Sequence, residues 1–505
     1  MPVLLLRRLF YHSSVQRRFT KNLVGILRKN SRPRLHKTLF WASEPAHNWS
    51  YEEFWTLVDR YANRLHQMDL RPGDRLLAQV EKSIPNMAMY MATLQLGAIY
   101  IPLNVDYTAS ELDYFVQDAK PRILIHSQKR LDLSVDNQPK LVYRDEKLYE
   151  LARNSKPVPH LTDVPGHKVA VLCYTSGTTG RPKGAMITHS NLSSNGLALV
   201  DAWKFNSADV LLHILPLYHI HGLQVALNTT LLAGASCCFL PRFTVDTVIE
   251  WLPYCTVMMG VPTHYGRLVD SEKFGPHLLG QMRLFVSGSA PMSEQLWHKF
   301  KERSGGFEAL ERYGMTEGGI ITSIPYHGPR KPGTVGRPLK GVDVRIPDGM
   351  LEYKGPNLFA GYWHRAKSND DYTPDGYFRS GDLAEFDPGG YVRILGRAKD
   401  LVISGGLNIY PKQIEDVLNR FPTVCESAVI GVPHPDFGEG LVAVLVADGQ
   451  LELDELRVYA KSKLAGFKVP KAFYLVDSLP RNSMGKVSKV QLRETFAQEF
   501  VGSQF

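Results

Sequence analysis

Residues 174–184 read Tyr-Thr-Ser-Gly-Thr-Thr-Gly-Arg-Pro-Lys-Gly and come directly after the apolar run Val169-Ala-Val-Leu-Cys. A strand that empties into such a turn puts four clustered hydroxyls, three glycines and a lysine at its carboxyl end, where α/β proteins place ligands. Backbone N–H groups, hydroxyl donors and a cationic side chain together make a cradle for a triphosphate. The pattern is not a Walker loop, because the only Gly-Lys pair, Gly485-Lys486, is followed by Val487. The same texture extends outward. Helix-like Tyr51–Met68 and Pro85–Leu96 alternate with strand-like Arg75–Val80, Arg122–His126, Val210–Leu215, Thr256–Gly260 and Leu284–Ser287. This alternation predicts α/β layers with largely parallel strands over residues 44–398. Beyond Arg397 the order changes: helix-like Pro411–Phe421 leads to Ala428–Val432, Leu441–Ala447, helix-like Glu452–Leu464 and Ala472–Val476. Residues 399–505 are expected to form a separate small α+β domain, joined through Ala398, Lys399 and Asp400.

Composition narrows the class. With 44% hydrophobic and 22% charged residues in 505, the chain is ordinary globular material and not a disordered one. The surplus of 59 Lys and Arg over 50 Asp and Glu sits at one end, since residues 1–43 hold ten basic residues and no acid. Basic, acid-free and amphipathic, with Arg7, Arg8, Arg17 and Arg18 among apolar residues, this segment is expected to be a mitochondrial transit peptide. Its removal leaves a nearly neutral chain, which argues against a nucleic-acid partner. No run of ~18 uninterrupted apolar residues predicts a membrane span. Cys173, Cys237, Cys238, Cys255 and Cys425 are sparse, odd in number and without Cys-x-x-Cys spacing, so no disulfide framework or structural metal is expected.

The loop at 174–184 resembles the phosphate-binding signature of the acyl-adenylate-forming superfamily, and further stretches resemble its other motifs in the same order. These are Ser287-Gly288-Ser289-Ala290-Pro291, Arg312-Tyr313-Gly314-Met315-Thr316-Glu317, Tyr377-Phe378-Arg379-Ser380-Gly381-Asp382, Gly396-Arg397-Ala398-Lys399-Asp400, Ser404-Gly405-Gly406-Leu407-Asn408 and Pro480-Arg481-Asn482-Ser483-Met484-Gly485-Lys486. The resemblance implies a large N-terminal α/β domain of layered sheets and helices, a small mobile C-terminal α+β domain, and an ATP-dependent acid:CoA ligase that forms an acyl-AMP and then an acyl-CoA. It further implies that Thr175, Ser176, Gly177, Thr178, Thr179, Gly180, Arg181, Pro182 and Lys183 cradle the phosphates, with Thr178 and Glu317 helping to hold Mg²⁺. Ser287, Gly288, Ser289, Tyr313, Gly314, Met315 and Thr316 would form the adenine pocket. Asp382 would accept from the ribose hydroxyls beside Arg397. Lys486 would bridge the acid and the α-phosphate, Lys399 would be the hinge, and Ser404, Gly405 and Gly406 would face a tunnel for coenzyme A.

Tyr218-His219-Ile220-His221-Gly222-Leu223 and Glu311-Arg312 resemble malonyl-CoA synthetases, mitochondrial members included. A second carboxylate buried without a partner would cost several kcal/mol, so a dicarboxylate needs a fixed cation. Arg267 and Arg312 are the candidates, with His221 beside them. The segments 344–353 and 128–164 look shorter than their counterparts in the superfamily. A short- or medium-chain fatty acid:CoA ligase, a carrier-protein loading enzyme and a catalytically silent nucleotide-binding scaffold stay open as alternatives.

Overall fold

Ser50 opens the first long helix and fixes the phase of its apolar stripe. Its hydroxyl accepts from Glu53 N, while the Glu53 carboxylate accepts from Ser50 N at 2.7 Å, so two orphan donors are satisfied at once. Those hydrogen bonds hold the Glu53 carboxyl below its usual range. The helix Tyr51–Gln67 then buries Phe54, Leu57, Val58, Tyr61 and Leu65 on one stripe. It packs against Ile84–Gln95, which is started by Ser83 and Pro85 and is buried from Met87 to Gln95. The computed structural model describes residues 22–501, apart from 43–46, 129–132, 134–138, 161, 176–181, 369, 406 and 482–485.

Two sheets carry the large lobe. A nine-stranded sheet runs Arg337–Pro338, Gly319–Ser323, Leu310–Met315, Leu284–Ser287, Val257–Gly260, Val210–His213, Ser236–Phe239, Thr38–Ala42 and His47–Ser50. From Leu310–Met315 to Thr38–Ala42 every pairing is parallel, and the edges are antiparallel. A six-stranded sheet runs Leu141–Arg144, Ile123–His126, Arg75–Gln79, Ile99–Pro102, Val169–Thr175 and Lys183–Thr188. Its last pair is an antiparallel hairpin with the Gly- and Thr-rich loop at its tip. Parallel strands end on one side, so the residues just past their ends meet along a common rim.

The α/β alternation of the chain does not announce a third sheet. Asp343–Arg345, Met350–Lys354, Phe378–Phe386 and Val392–Arg397 form an antiparallel meander. The short stretch 344–353 is accounted for by a tight hairpin in this sheet, turned by Pro347–Gly349 and closed by an Arg345–Glu352 ion pair at 2.7 Å. After the turn Ala398–Asp400 the small lobe begins, with Gly438–Ala447 flanked by Val424–His434, Ala472–Leu475 and Val402–Ser404. Ile409, Ile414, Leu418, Leu441 and Ala443 are among the residues of its own core. No helix among the described residues is long and apolar enough to cross a membrane.

The expected domain boundary at residue 43 is corrected by the fold. Leu23–Ser31 is a helix whose Leu23, Val24 and Leu27 are fully buried, and Thr38–Ala42 is an internal strand of the nine-stranded sheet. Basic residues that composition assigns to the leader are fastened into this lobe: Arg28 pairs with Asp59 at 2.6 Å and lies over the Trp55 ring, and Lys37 donates to Gly234 O at 2.9 Å. The reading of residues 1–21 as a leader lies outside the described residues. A chain beginning at Asn22 is expected to keep the thermal midpoint of the full chain. One beginning at Glu44 loses Leu23, Val24, Leu27, Leu39 and Phe40 from the core, each worth roughly 1.5–3 kcal/mol of burial, and is expected not to give soluble protein. Expression and thermal unfolding of the two truncations check this.

Candidate active site

The meander sets an acid against a base. Asp382 and Arg397 are register partners on adjacent antiparallel strands, and Arg397 Nε meets Asp382 Oδ1 at 2.8 Å. Asp382 is buried, its backbone N–H donates to Ser380 Oγ at 3.0 Å, and its other oxygen accepts from Tyr313 Oη, which arrives from the nine-stranded sheet. Burial raises the Asp382 carboxyl, against the pull of Arg397 and Tyr313, while burial resists the Arg397 charge and Asp382 holds it up. That both partners move upward reflects burial that falls mainly on Asp382, as its small exposed surface shows. The Tyr313 hydroxyl is pushed well above its usual range by burial and by Asp382.

Glu317 lies in the turn between Leu310–Met315 and Gly319–Ser323, buried, with its carboxyl raised by burial. It accepts from Tyr362 Oη at 2.8 Å, and the Tyr362 ring in turn lies 5.1 Å beneath Lys183 Nζ. Tyr362 is brought there because Met186 N and Trp363 N bond to Gly361 O and Gly184 O, docking the segment 361–363 onto the hairpin. Thr175 and Pro182 flank the hairpin tip: Thr175 Oγ1 donates to Lys183 O at 3.4 Å and Pro182 O accepts from Tyr114 at 2.5 Å. Ser176, Gly177, Thr178, Thr179, Gly180 and Arg181 lie outside the described residues, as does Gly406.

Along the rim of the nine-stranded sheet the acid-pocket candidates separate. Gly288 follows Leu284–Ser287, and a Cβ there would stand 2.4 Å from the Arg312 guanidinium, so the glycine is what lets that side chain lie across the strand end. Arg312 is buried, pushed down to about 10 by burial, and makes no ion pair among the described residues. His221 opens the π-helical turn His221–Leu227, whose Gly222 passes so close to Pro216 that a Cβ would come within 2.0 Å of its carbonyl oxygen. Ser289, held at a left-handed φ of 70°, joins the two: its Oγ is 3.1 Å from His221 Nδ1 and 3.5 Å from Arg312 Nη2. Burial holds His221 well below its usual range, with Arg312 adding to the effect, and holds His219 and His264 down at about 4. The charge of this cluster near neutral pH is therefore carried by arginine. Arg267 is exposed on the helix Pro262–Val269, unlike the buried Arg312 and His221, and its charge acts on His264.

The small lobe inserts Lys486. The residue is exposed to water, yet its ammonium is crowded by protein, and this crowding, followed by the repulsion of Arg397, lowers its pKa. Asp382, Arg312 and Glu317 of the large lobe also act on it, so all three lie within reach of its charge. Lys399 is exposed in the turn Ala398–Asp400, whose Asp400 is tied to the small lobe by Arg493 at 2.7 Å. Ser404 is buried at a strand end, and Gly405 follows at φ 58° with its N–H on Phe437 O at 2.9 Å. Sequence reasoning misses Tyr362, although the run Phe359-Ala360-Gly361-Tyr362-Trp363 is aromatic enough to mark a packed segment.

Comparison with known proteins agrees with this architecture. The sequence pattern described as AMP-binding enzyme matches residues 28–363, and that of the AMP-binding enzyme C-terminal domain matches residues 413–486. The chain is 34% identical over 468 residues to a feruloyl-CoA synthase of Amycolatopsis sp, covering 88% of this chain and 94% of that one. It is 35% identical over 452 residues to the mitochondrial malonate–CoA ligase of Mus musculus, covering 78% and 77%. The crystal structure of ATP-bound MatB from Rhodopseudomonas palustris superposes with a TM-score of 0.91 at 43% identity, covering 95% of this chain and 99% of that one. With more than half of its length inside one family pattern and the small lobe inside its companion, the chain belongs to the AMP-binding enzyme family.

Proposed function

We propose that this chain is an ATP-dependent, AMP-forming acid:CoA ligase acting on a small dicarboxylate, malonate or methylmalonate. One observation carries the choice of acid: Arg312 is a buried cation at the cleft rim with His221 and Ser289 beside it and no carboxylate paired to it among the described residues. Removing a charge from water without a partner is costly, so a counter-ion is expected to arrive with the substrate. An arginine also suits that role because it can grip a carboxylate with two parallel bonds. Sequence similarity alone does not choose the acid, since relatives named for feruloyl-CoA and for malonate stand at nearly equal identity.

The first half of the reaction brings a carboxylate to the α-phosphorus of ATP, although both are anions. Charge neutralisation and alignment are what the site has to supply. In this reading Lys486 bridges the acid and the α-phosphate, Asp382 accepts from the ribose hydroxyls with Arg397 holding it, and Tyr313 stacks on adenine. Glu317 fits a divalent cation: it is a buried carboxylate with Tyr362 as its one side-chain hydrogen-bond donor among the described residues, and Mg²⁺ is commonly held by one or two carboxylates and the substrate's own phosphates. Thr178 would join it, and the ion, when bound, neutralises phosphate charge. The second half needs a thiol to reach the acyl-AMP where Lys486 stood. Rotation of the small lobe about Lys399 would withdraw the lysine and bring Ser404, Gly405 and Gly406 to the path of coenzyme A. The acid-free leader with Arg7, Arg8, Arg17, Arg18 and Lys21, and the mitochondrial relative, support a place in the mitochondrial matrix.

Acid-dependent exchange of pyrophosphate into ATP tests this reading. Malonate is expected to support it far better than butyrate or octanoate, and exchange with the monocarboxylates alone would overturn the dicarboxylate assignment. Lys486→Ala is expected to slow exchange on the order of 100-fold or more while ATP binding by calorimetry stays largely intact; unchanged turnover contradicts the assigned role. Arg312→Met is expected to raise the KM for malonate by at least tenfold, about 1.4 kcal/mol, and to leave the KM for ATP nearly unchanged.

A further inference from the structure

Lys82 is a second crowded cation that none of the motifs accounts for. It lies just past the strand Arg75–Gln79 of the six-stranded sheet and immediately precedes Ser83, the cap of the helix Ile84–Gln95. From there it reaches across to the other sheet, where Nζ donates to His213 O at 2.8 Å and Leu240 O at 2.6 Å. These carbonyls mark the ends of two neighbouring parallel strands, and the ammonium lies 4.7 Å from the Phe239 ring centroid.

The position is on the rim that bears the acid pocket. His213 pairs in register with Met259, and Gly260, the next residue, lies under His264, whose ring stacks on Phe243 with centroids 4.2 Å apart. One strand further along stand Ser287 and Gly288 with Arg312 across them. The titratable groups that face Lys82 are His213 and His264, both depressed mainly by burial with Lys82 adding to it, and Cys237. Burial lowers Lys82 itself to about 7, so that an anion arriving nearby favours its charged form, and among the described residues no carboxylate lies within ion-pair distance of it.

A bridge between two carbonyl oxygens needs donors, and a neutral amide would supply them without the desolvation penalty of a charge. The ammonium therefore has a use that an amide would not serve, and its surroundings contain neutral histidines and, among the described residues, no carboxylate at ion-pair distance. We propose that Lys82 is a specificity-determining residue, fixed between the His213 and Leu240 carbonyls, whose charge adds to that of Arg312 in attracting the far carboxylate of a dicarboxylate substrate. This rests on the acid:CoA ligase reading and deepens it. Arg312 grips the substrate and Lys82 acts through the field along the rim, at a distance where opposite charges still attract in a medium of intermediate dielectric.

The experiment uses the full chain and the pyrophosphate exchange assay with malonate and ATP as varied substrates. Lys82→Gln keeps donors for both carbonyls and Lys82→Met keeps the stem against Phe239; both remove the charge. Either is expected to raise the KM for malonate by about tenfold, as for charges roughly 10 Å apart at an effective dielectric near 20, with the KM for ATP and the thermal midpoint unchanged. Lys82→Arg is expected to restore most of the malonate affinity. An unchanged malonate KM, or malonate and ATP constants that rise together, overturns the inference and leaves the ligase reading standing. If neither neutral variant folds while Lys82→Arg does, the charge is structural and the inference falls. If the unmutated protein shows no exchange with malonate, the dicarboxylate reading fails first and this inference with it.

Discussion

Positive charge that meets no carboxylate among the described residues, held at the carboxyl ends of parallel strands, is the constraint on which the candidate site depends. Parallel strands bring Gly288 and Arg312 to one rim although their segments are separate in sequence, and glycines at 222 and 288 permit approaches that any side chain would block. The neighbouring histidines are neutralised by burial, which leaves the arginine as the fixed charge. The group around Asp382 is built by a different device. Asp382 and Arg397 are paired across an antiparallel meander, and Tyr313 crosses over from the nine-stranded sheet to meet them. The cleft is thus a meeting of three sheets' products, with the small lobe adding Lys486.

Much of this is legible in the order of residues alone. The strands Arg75–Gln79, Val257–Gly260 and Leu284–Ser287 are readable because strands covered on both faces are short apolar runs, each closed by a turn. The stretches carrying Tyr313, Glu317, Asp382, Arg397 and Lys486 are readable as motifs, and the structure gathers them around one cleft. Composition misleads at the start of the chain, because it cannot see burial. Arg28 and Lys37 count as basic leader residues in a tally but are fastened to Asp59 and to the Gly234 carbonyl in the fold. The meander between 343 and 397 escapes sequence reading because its strands pair with their sequence neighbours and interrupt the α/β alternation without a signal of their own.

Single residues are harder still. Lys82 in Val-Glu-Lys-Ser looks like any surface lysine, and only the crossing from one sheet to the other turns it into a cation between two strand ends. Tyr362 reads as packing, and becomes a partner of Glu317 only through the docking of 361–363 on the hairpin. Arg267 and Arg312 look equivalent along the sequence. Depth separates them, since one faces water and the other lies beneath the cleft.

An ion pair at the surface joins the two lobes. Arg420 of the small lobe reaches Glu294 of the large one at 2.8 Å, and both side chains are about half open to water. Such a pair contributes about 0–1 kcal/mol and fades as salt rises. A latch this weak can be released by thermal agitation alone, so its share in holding the lobes together depends on the surrounding electrolyte as much as on the polypeptide.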